Sequence, residues 1–176
     1  PELARTLAET RPQLLCVEQP FIDALAACGA QLRGVRCLTL GSVAAPGWIE
    51  WESVAPATGV PDAGDESAPL LICHTSGTAG EPKGAVLTHR SFMAGLRSAA
   101  LARPVAPMDK YYYPFPLFHV SAHNVLLQHL HGAAVVLARA FDAKDTLQAC
   151  RELRVTTMSL APTMIALLLD HPDFTP

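Results

Sequence analysis

The sequence predicts an α/β fold, a mainly parallel sheet with helices on both faces, and three observations carry that expectation. Short apolar runs alternate along the chain with helical stretches of ten or more residues, the pattern of β-α-β crossovers. "PLLICH" (69–74) and "AAVVLAR" (133–139) are apolar without alternation, as strands buried on both faces are. Half of the 176 residues are apolar and only 16% are charged, enough to fill an ordinary core.

Taken in order, "ELARTLAET" reads as a helix, "QLLCVE" as a short strand, "PFIDALAACGAQL" as a helix opened by Pro20, and "GVRCLTLG" as a strand. Residues 41–68 change character to Pro, Gly, Ala, Ser and acidic residues, with Trp48 and Trp51 as the only large apolar anchors, and predict a surface connector. Then come "PLLICH", a glycine-rich loop, the strand "GAVLTH" and the helix "RSFMAGLRSAALA". "KYYYPFPL" predicts a strand stopped by its prolines, its three tyrosines alternating between faces. "SAHNVLLQHLHG" follows as a helix with a glycine stop, then the strand "AAVVLAR". "DAKDTLQACRELR" has an Asp at its start and arginines in its last turn, as the helix dipole favours. "VTTMSLA" and "PTMIALLLDHP" close the series as strand and helix, with Pro162 at the helix opening.

A net charge of -3 leaves no basic stripe for nucleic acid or anionic lipid. No apolar run reaches the roughly 18 residues of a membrane span, so a soluble, cytoplasmic protein is expected. Cys16, Cys28, Cys37, Cys73 and Cys150 are scattered and odd in number, which fits reduced thiols better than a disulfide framework. The chain opens on Pro1 without a methionine and stops at Pro176 just after a helix, so it is expected to be a piece of something longer.

The loop "TSGTAGEPKG" (75–84) is the chain's chemical signature. Gly77, Gly80 and Gly84 permit close backbone approach, Thr75, Ser76 and Thr78 add hydroxyl donors, and Lys83 adds a mobile positive charge. Such a loop wraps an anion. Two unit charges about 4 Å apart near a protein surface attract by roughly 4 kcal/mol before desolvation. The loop is not a Walker loop: Pro82 stands where glycine should precede the lysine, and neither Ser nor Thr follows it. Taken by composition alone, it also suits a plain hairpin connection.

"ICHTSGTAGEPKGAVLTH" resembles the phosphate-binding signature T-S-G-T-T-G-x-P-K-G of the adenylate-forming superfamily. That superfamily includes acyl-CoA synthetases, firefly luciferase and peptide-synthetase adenylation domains. The match covers Thr75, Ser76, Gly77, Thr78, Gly80, Pro82, Lys83 and Gly84, with His74 where an aromatic residue is common and Ala79 in place of the second threonine. "PFPLFHVSAHN" is similar to the same family's P-L-F-H-x-x-G segment, with His119 as its histidine and Ala122 in place of the glycine, a change expected to narrow an acyl channel. "VTTMSLAPTMIALLLDHPDF" looks like the strand and helix that carry V-P-T-x-x-x-x-L in acyl-CoA synthetases. These matches span residues 70–176, and residues 1–40 suit the family's preceding β-α-β segment more loosely.

The resemblance implies ATP-dependent conversion of a carboxylate to an acyl-adenylate and pyrophosphate, then capture by coenzyme A. It implies that Thr75, Ser76, Gly77, Thr78, Gly80, Lys83 and Gly84 hold the β- and γ-phosphates, that Thr75 contacts Mg2+, and that His119 orients the carboxylate. Lys83 and His119 are the expected catalytic pair. Amino-acid adenylation domains place an aspartate after the strand matching "YYYPFPL". Phe118, His119, Val120 and Ser121 offer no acid there, so an acyl or aryl acid without an α-ammonium is the expected substrate, with "NVLLQHL" lining its pocket. The resemblance further assigns residues 69–176 to the ATP-phosphate-binding and acyl-pocket part and implies that a C-terminal lid domain is absent.

Several readings stay open beside it. The lack of a Y-G-x-T-E segment, a ribose aspartate and a second lysine predicts a chain that is catalytically incomplete on its own, and a non-catalytic binding or structural module is the alternative. An acyl-carrier-protein or fatty acyl-adenylate ligase would differ in parts outside the matched motifs. His119, His123, His129 and His131 lack the glutamate of H-E-x-x-H, which disfavours a zinc site.

Overall fold

The computed structural model describes residues 2–26, 28–41, 46–59, 64–75 and 83–175. They fall into two compact units, Pro1–Pro61 and Asp62–Pro176. Parallel sheets covered by helices make the α/β class that the sequence predicts.

In the first unit, α1 (Glu2–Thr10) leads to β1 (Leu14–Glu18), and α2 (Ile22–Ala26) leads to β2 (Arg36–Leu40). β1 and β2 pair in parallel with Leu14 opposite Arg36, and a two-residue strand β3 (Ile49–Glu50) extends the sheet beside β2. Leu7, Val17, Leu25 and Cys28 form the core, with Trp48 packed against it.

Three expectations change here. The predicted long helix from Pro20 shrinks to a 3-10 turn at Gln19–Phe21 followed by five residues of α2. Beyond α2, tight bonds such as Gln31 N to the Cys28 carbonyl (3.0 Å) take over around Gly29, a residue that opposes helix. The stretch read as a connector contains β3 and a 3-10 turn at Trp51–Ser53, because β2 still has a free edge that two residues can pair with. Trp51 is 54% exposed and anchors nothing, in contrast to Trp48.

The second unit begins with an antiparallel ribbon, β4 (Pro69–His74) and β5 (Gly84–Thr88), with Cys73 opposite Ala85 and His74 opposite Gly84. α3 (His89–Ala102) follows at once. Its start is fixed by a capping box in which Thr88 accepts the Ser91 N–H and the Ser91 hydroxyl accepts the Thr88 N–H. Arg90 pairs with Glu66 at 2.6 Å and so ties the helix start to the segment before β4.

The remaining strands form one parallel sheet in the order β7-β6-β8: β6 is Lys110–Tyr113, β7 Ala134–Leu137 and β8 Thr157–Met158. α4 (His123–Leu130) stops where Gly132 takes φ +77°. α5 (Ala143–Leu153) is capped by Asp142, which accepts the Asp145 N–H at 2.9 Å, and α6 (Pro162–Leu169) opens on its proline.

β6 is the centre of this sheet. Tyr111, Tyr112 and Tyr113 are 4, 2 and 0% exposed, so the tyrosines that alternate between the faces of the strand are buried on both, as a central parallel strand requires. Each phenol finds a polar partner. Tyr111 donates to Ser159 Oγ (2.8 Å). Tyr112 donates to Thr146 Oγ1 (3.0 Å), whose own proton goes to the Asp142 carbonyl. Tyr113 lies 2.9 Å from Ser121 Oγ and 3.1 Å from the Pro116 carbonyl.

Candidate functional site

Two structures meet at the candidate site: the mouth of the β4–β5 ribbon and the turn that leaves β6. At the ribbon mouth the Thr75 N–H donates to the Lys83 carbonyl at 3.0 Å, and the Lys83 N–H donates back to Thr75 Oγ1 at 3.1 Å. The signature loop is therefore gripped at its base by Thr75 and Lys83. Thr75 uses one lone pair for this grip, and among the described residues its hydroxyl proton and second lone pair meet no other partner. The side chain of Lys83 is exposed. Gly84 is fixed by space: a Cβ built there would lie 2.9 Å from Ile72 Cγ2. Ser76, Gly77, Thr78 and Gly80 lie outside the described residues.

After Tyr113, Pro114 ends the strand and the chain turns through "FPLFHV" into a 3-10 turn at Val120–Ala122 that runs into α4. His119 caps that turn: its Nδ1 accepts the Ser121 N–H at 3.1 Å and lies 2.8 Å from Ser121 Oγ. His123, one turn on, uses its Nδ1 differently and donates to the Val120 carbonyl at 2.9 Å.

Between ribbon and turn lies a cavity of about 680 Å³, within the roughly 300 to 1,000 Å³ of small-molecule sites. Ile72, Phe92, Phe118, Val125 and Leu137 give it an apolar wall, and His74, His119, His123 and His129 line it together with the Cys73 thiol. Among the described residues no Asp, Glu, Lys or Arg lines it, so its polarity there comes mainly from the histidines. α4 presents Val125, Leu126 and His129 to the cavity, while Asn124, Leu127 and Gln128 are buried. Ala122 also faces the cavity, at the position where the resemblance expects glycine.

Of the sequence-predicted site residues, Thr75, Lys83 and Gly84 are thus gathered at the ribbon mouth and His119 at the cavity wall. Sequence reasoning missed Ser121 and Tyr113. The available signal was a hydroxyl residue two positions after the histidine, a spacing that turns its backbone N–H and side chain back on the imidazole. Among the described residues, no cluster of three or more His, Cys, Asp or Glu side chains has the geometry to hold a metal ion. No helix there is long and apolar enough to cross a membrane, and all five cysteines are free thiols. Burial pushes the Cys37 and Cys150 thiols above their ordinary range.

Residues 1–175 match the AMP-binding enzymes, and the chain belongs to that family. Indoleacetate CoA ligase of Aromatoleum aromaticum is 34% identical over 98% of this chain and 35% of its own length. 2-Succinylbenzoate CoA ligase of Bacillus licheniformis is 30% identical over 99% of this chain and 34% of its own length. The inhibitor-bound N-terminal domain of FACL13 from Mycobacterium tuberculosis shares the fold with a TM-score of 0.81 at 25% identity, over 99% of this chain and 44% of that one. The chain spans about a third of the length of the curated relatives it matches.

Proposed function

We propose that this chain is the phosphate- and acyl-binding part of an acid-thiol ligase, which joins a carboxylic acid to coenzyme A through an acyl-adenylate at the expense of ATP. The observation that carries the reading is the pairing of a Thr75–Lys83 ribbon mouth with an apolar cavity whose wall bears His119. Residues 69–176 do this work, residues 1–40 are the scaffold before it, and residues 41–68 connect the two. The remaining catalytic parts, including a C-terminal lid, belong to the longer protein.

In this reading Thr75, Ser76, Gly77, Thr78, Gly80 and Gly84 surround the β- and γ-phosphates. Lys83 balances the charge that grows on the leaving pyrophosphate, where a preorganised cation acts without reorganisation. The remaining lone pair of Thr75 suits it to a Mg2+ ion, which would share that charge when bound. His119 holds the carboxylate in line with the α-phosphorus, a positional gain that removes much of the entropic barrier.

The substrate we favour has an apolar aryl or fatty acyl body and no α-ammonium, because among the described residues the cavity wall offers aromatic and aliphatic side chains and no carboxylate. The names of three relatives point the same way, with indoleacetate and 2-succinylbenzoate on the aryl side and a long-chain fatty acid on the other, while a fourth is a sulfoacetate ligase. The free thiols favour a reducing, cytoplasmic setting.

The test is carboxylate-dependent exchange of pyrophosphate into ATP by the full-length protein, across aryl, short-chain, long-chain and amino acids. Exchange with aryl or fatty acids and none with amino acids is the expected result. Amino-acid-dependent exchange would overturn the substrate assignment, and no exchange with any acid would leave a non-catalytic binding module.

A further inference from the structure

His119 and His123 both line the cavity and both have Nδ1 engaged, yet the protein engages them in opposite senses. The Ser121 backbone N–H donates to His119 Nδ1 at 3.1 Å, so that nitrogen carries a lone pair. A proton on it would confront the Ser121 amide hydrogen. Ser121 Oγ, 2.8 Å from the same nitrogen, must then donate its proton to Nδ1, since an oxygen lone pair against a nitrogen lone pair would repel. With its proton committed, Ser121 Oγ becomes an acceptor toward Tyr113. The Tyr113 hydroxyl, 2.9 Å away, donates to it and shares its proton with the Pro116 carbonyl at 3.1 Å. The chain of donors therefore runs Tyr113 O–H to Ser121 O–H to His119 Nδ1. Its origin is fixed: Tyr113 is fully buried in β6 and packed edge-on against Phe115. At His123 the Nδ1–H donates to the Val120 carbonyl, and the lone pair sits on Nε2.

We propose that Ser121 and Tyr113 are positioning residues that hold His119 as the Nε2–H tautomer, so that a hydrogen-bond donor is offered to the anionic oxygens of the reacting carboxylate or the α-phosphate. This inference rests on the adenylation reading for the identity of the acceptor, and on geometry alone for the tautomer. Anionic oxygens accept and cannot donate, so the opposite tautomer would present them with a repelling lone pair. His123 cannot substitute, because its outward nitrogen accepts.

The tautomer is read directly from the side-chain 15N shifts of the full-length protein labelled at its histidines, at a pH of about 8 where ordinary imidazoles are neutral. His119 should show a protonated Nε2 and a bare Nδ1, and His123 the reverse, as an internal reference. In Ser121→Ala the backbone N–H still faces Nδ1, so His119 should keep the Nε2–H form while its Nδ1 shift moves with the loss of the hydroxyl bond, and the acid-dependent kcat of pyrophosphate exchange should fall about fivefold to tenfold, the range of one lost hydrogen bond. Ser121→Thr should restore both readouts, and Tyr113→Phe should give a smaller loss of about twofold to threefold. A protonated Nδ1 on wild-type His119 would overturn the proposal, as would unmoved His119 shifts in Ser121→Ala. If His119 shows the Nε2–H form while no acid supports exchange, the adenylation reading fails and the tautomer assignment stands.

Discussion

The ribbon β4–β5 and the strand β6 both carry one half of the candidate site, but they hold it by different means. Leu70, Leu71 and Ile72 in β4 and Val86 in β5 are 42 to 55% exposed, and the ribbon's coherence comes from its backbone ladder and the Thr75–Lys83 grip. β6 is buried on both faces, and every one of its phenols is pinned to a different neighbour. The contrast teaches that the charged half of the site depends on backbone pairing, whereas the imidazole half depends on packing that reaches into the core.

The largest effect should therefore come from truncating β6. Tyr113→Ala should cost about 3 to 5 kcal/mol, as other large-to-small aromatic core changes do, measured as a fall in the urea midpoint. Val86→Ala in the ribbon should stay within about 0.5 kcal/mol by the same measurement, and equal losses at the two sites would erase the comparison. Lys83→Ala comes next. It should lower pyrophosphate exchange by about 100-fold while leaving the urea midpoint in place, since an exposed lysine contributes to charge stabilisation and little to packing. Unchanged exchange kinetics would remove the lysine from the mechanism.

Gly84→Ala probes the ribbon itself. The new Cβ meets Ile72 Cγ2, so a loss of about 1 kcal/mol is expected, and the double variant with Ile72→Ala should lose less than the sum of the single changes. Additivity would show that the ribbon has room to spare there. The smallest effect concerns alkaline pH. Burial, opposed in part by the Ser159 hydrogen bond, holds the Tyr111 phenol above its ordinary range. Because the folded pKa is raised, the stabilisation is full below the unfolded value of about 10 and is lost as pH rises through the folded value. The difference in urea midpoint between wild type and Tyr111→Phe should accordingly be constant near neutrality and shift against the wild type above about pH 10. A constant difference throughout would mean that Tyr111 ionises as freely folded as unfolded.

Much of this architecture was legible in the sequence, because apolar runs report strands and a glycine or a proline reports a boundary. "AAVVLAR" became β7, Gly132 ended α4, and Pro114 closed β6. The signature residues Thr75, Lys83 and Gly84 were readable through resemblance, and the ribbon gives two of them a physical role as a clamp and the third as a close contact. Periodicity could not reveal the burial of all three tyrosines, since alternation records which face a residue takes and leaves open whether both faces are covered. β3 was hidden for a related reason: two residues carry no period, and Ile49 and Glu50 are strand only because β2 has an edge to offer. Ser121 escaped because the spacing of a hydroxyl two residues after a histidine is common, and only the fold shows that here the hydroxyl returns on the imidazole.

Three identical side chains in succession contain no internal mark of alignment. Sliding β6 by one position would lay phenol over phenol and leave two of the three hydroxyl partnerships chemically possible. The alignment must be read from the neighbours of the run. A slip one way would drive Lys110, whose ammonium donates to the Leu153 carbonyl at 2.9 Å, into the place of a tyrosine that is 4% exposed. A slip the other way would bring Pro114, which has no N–H to give, into the ladder. The repeated letters fill the space, and the two unlike letters at their ends keep the count.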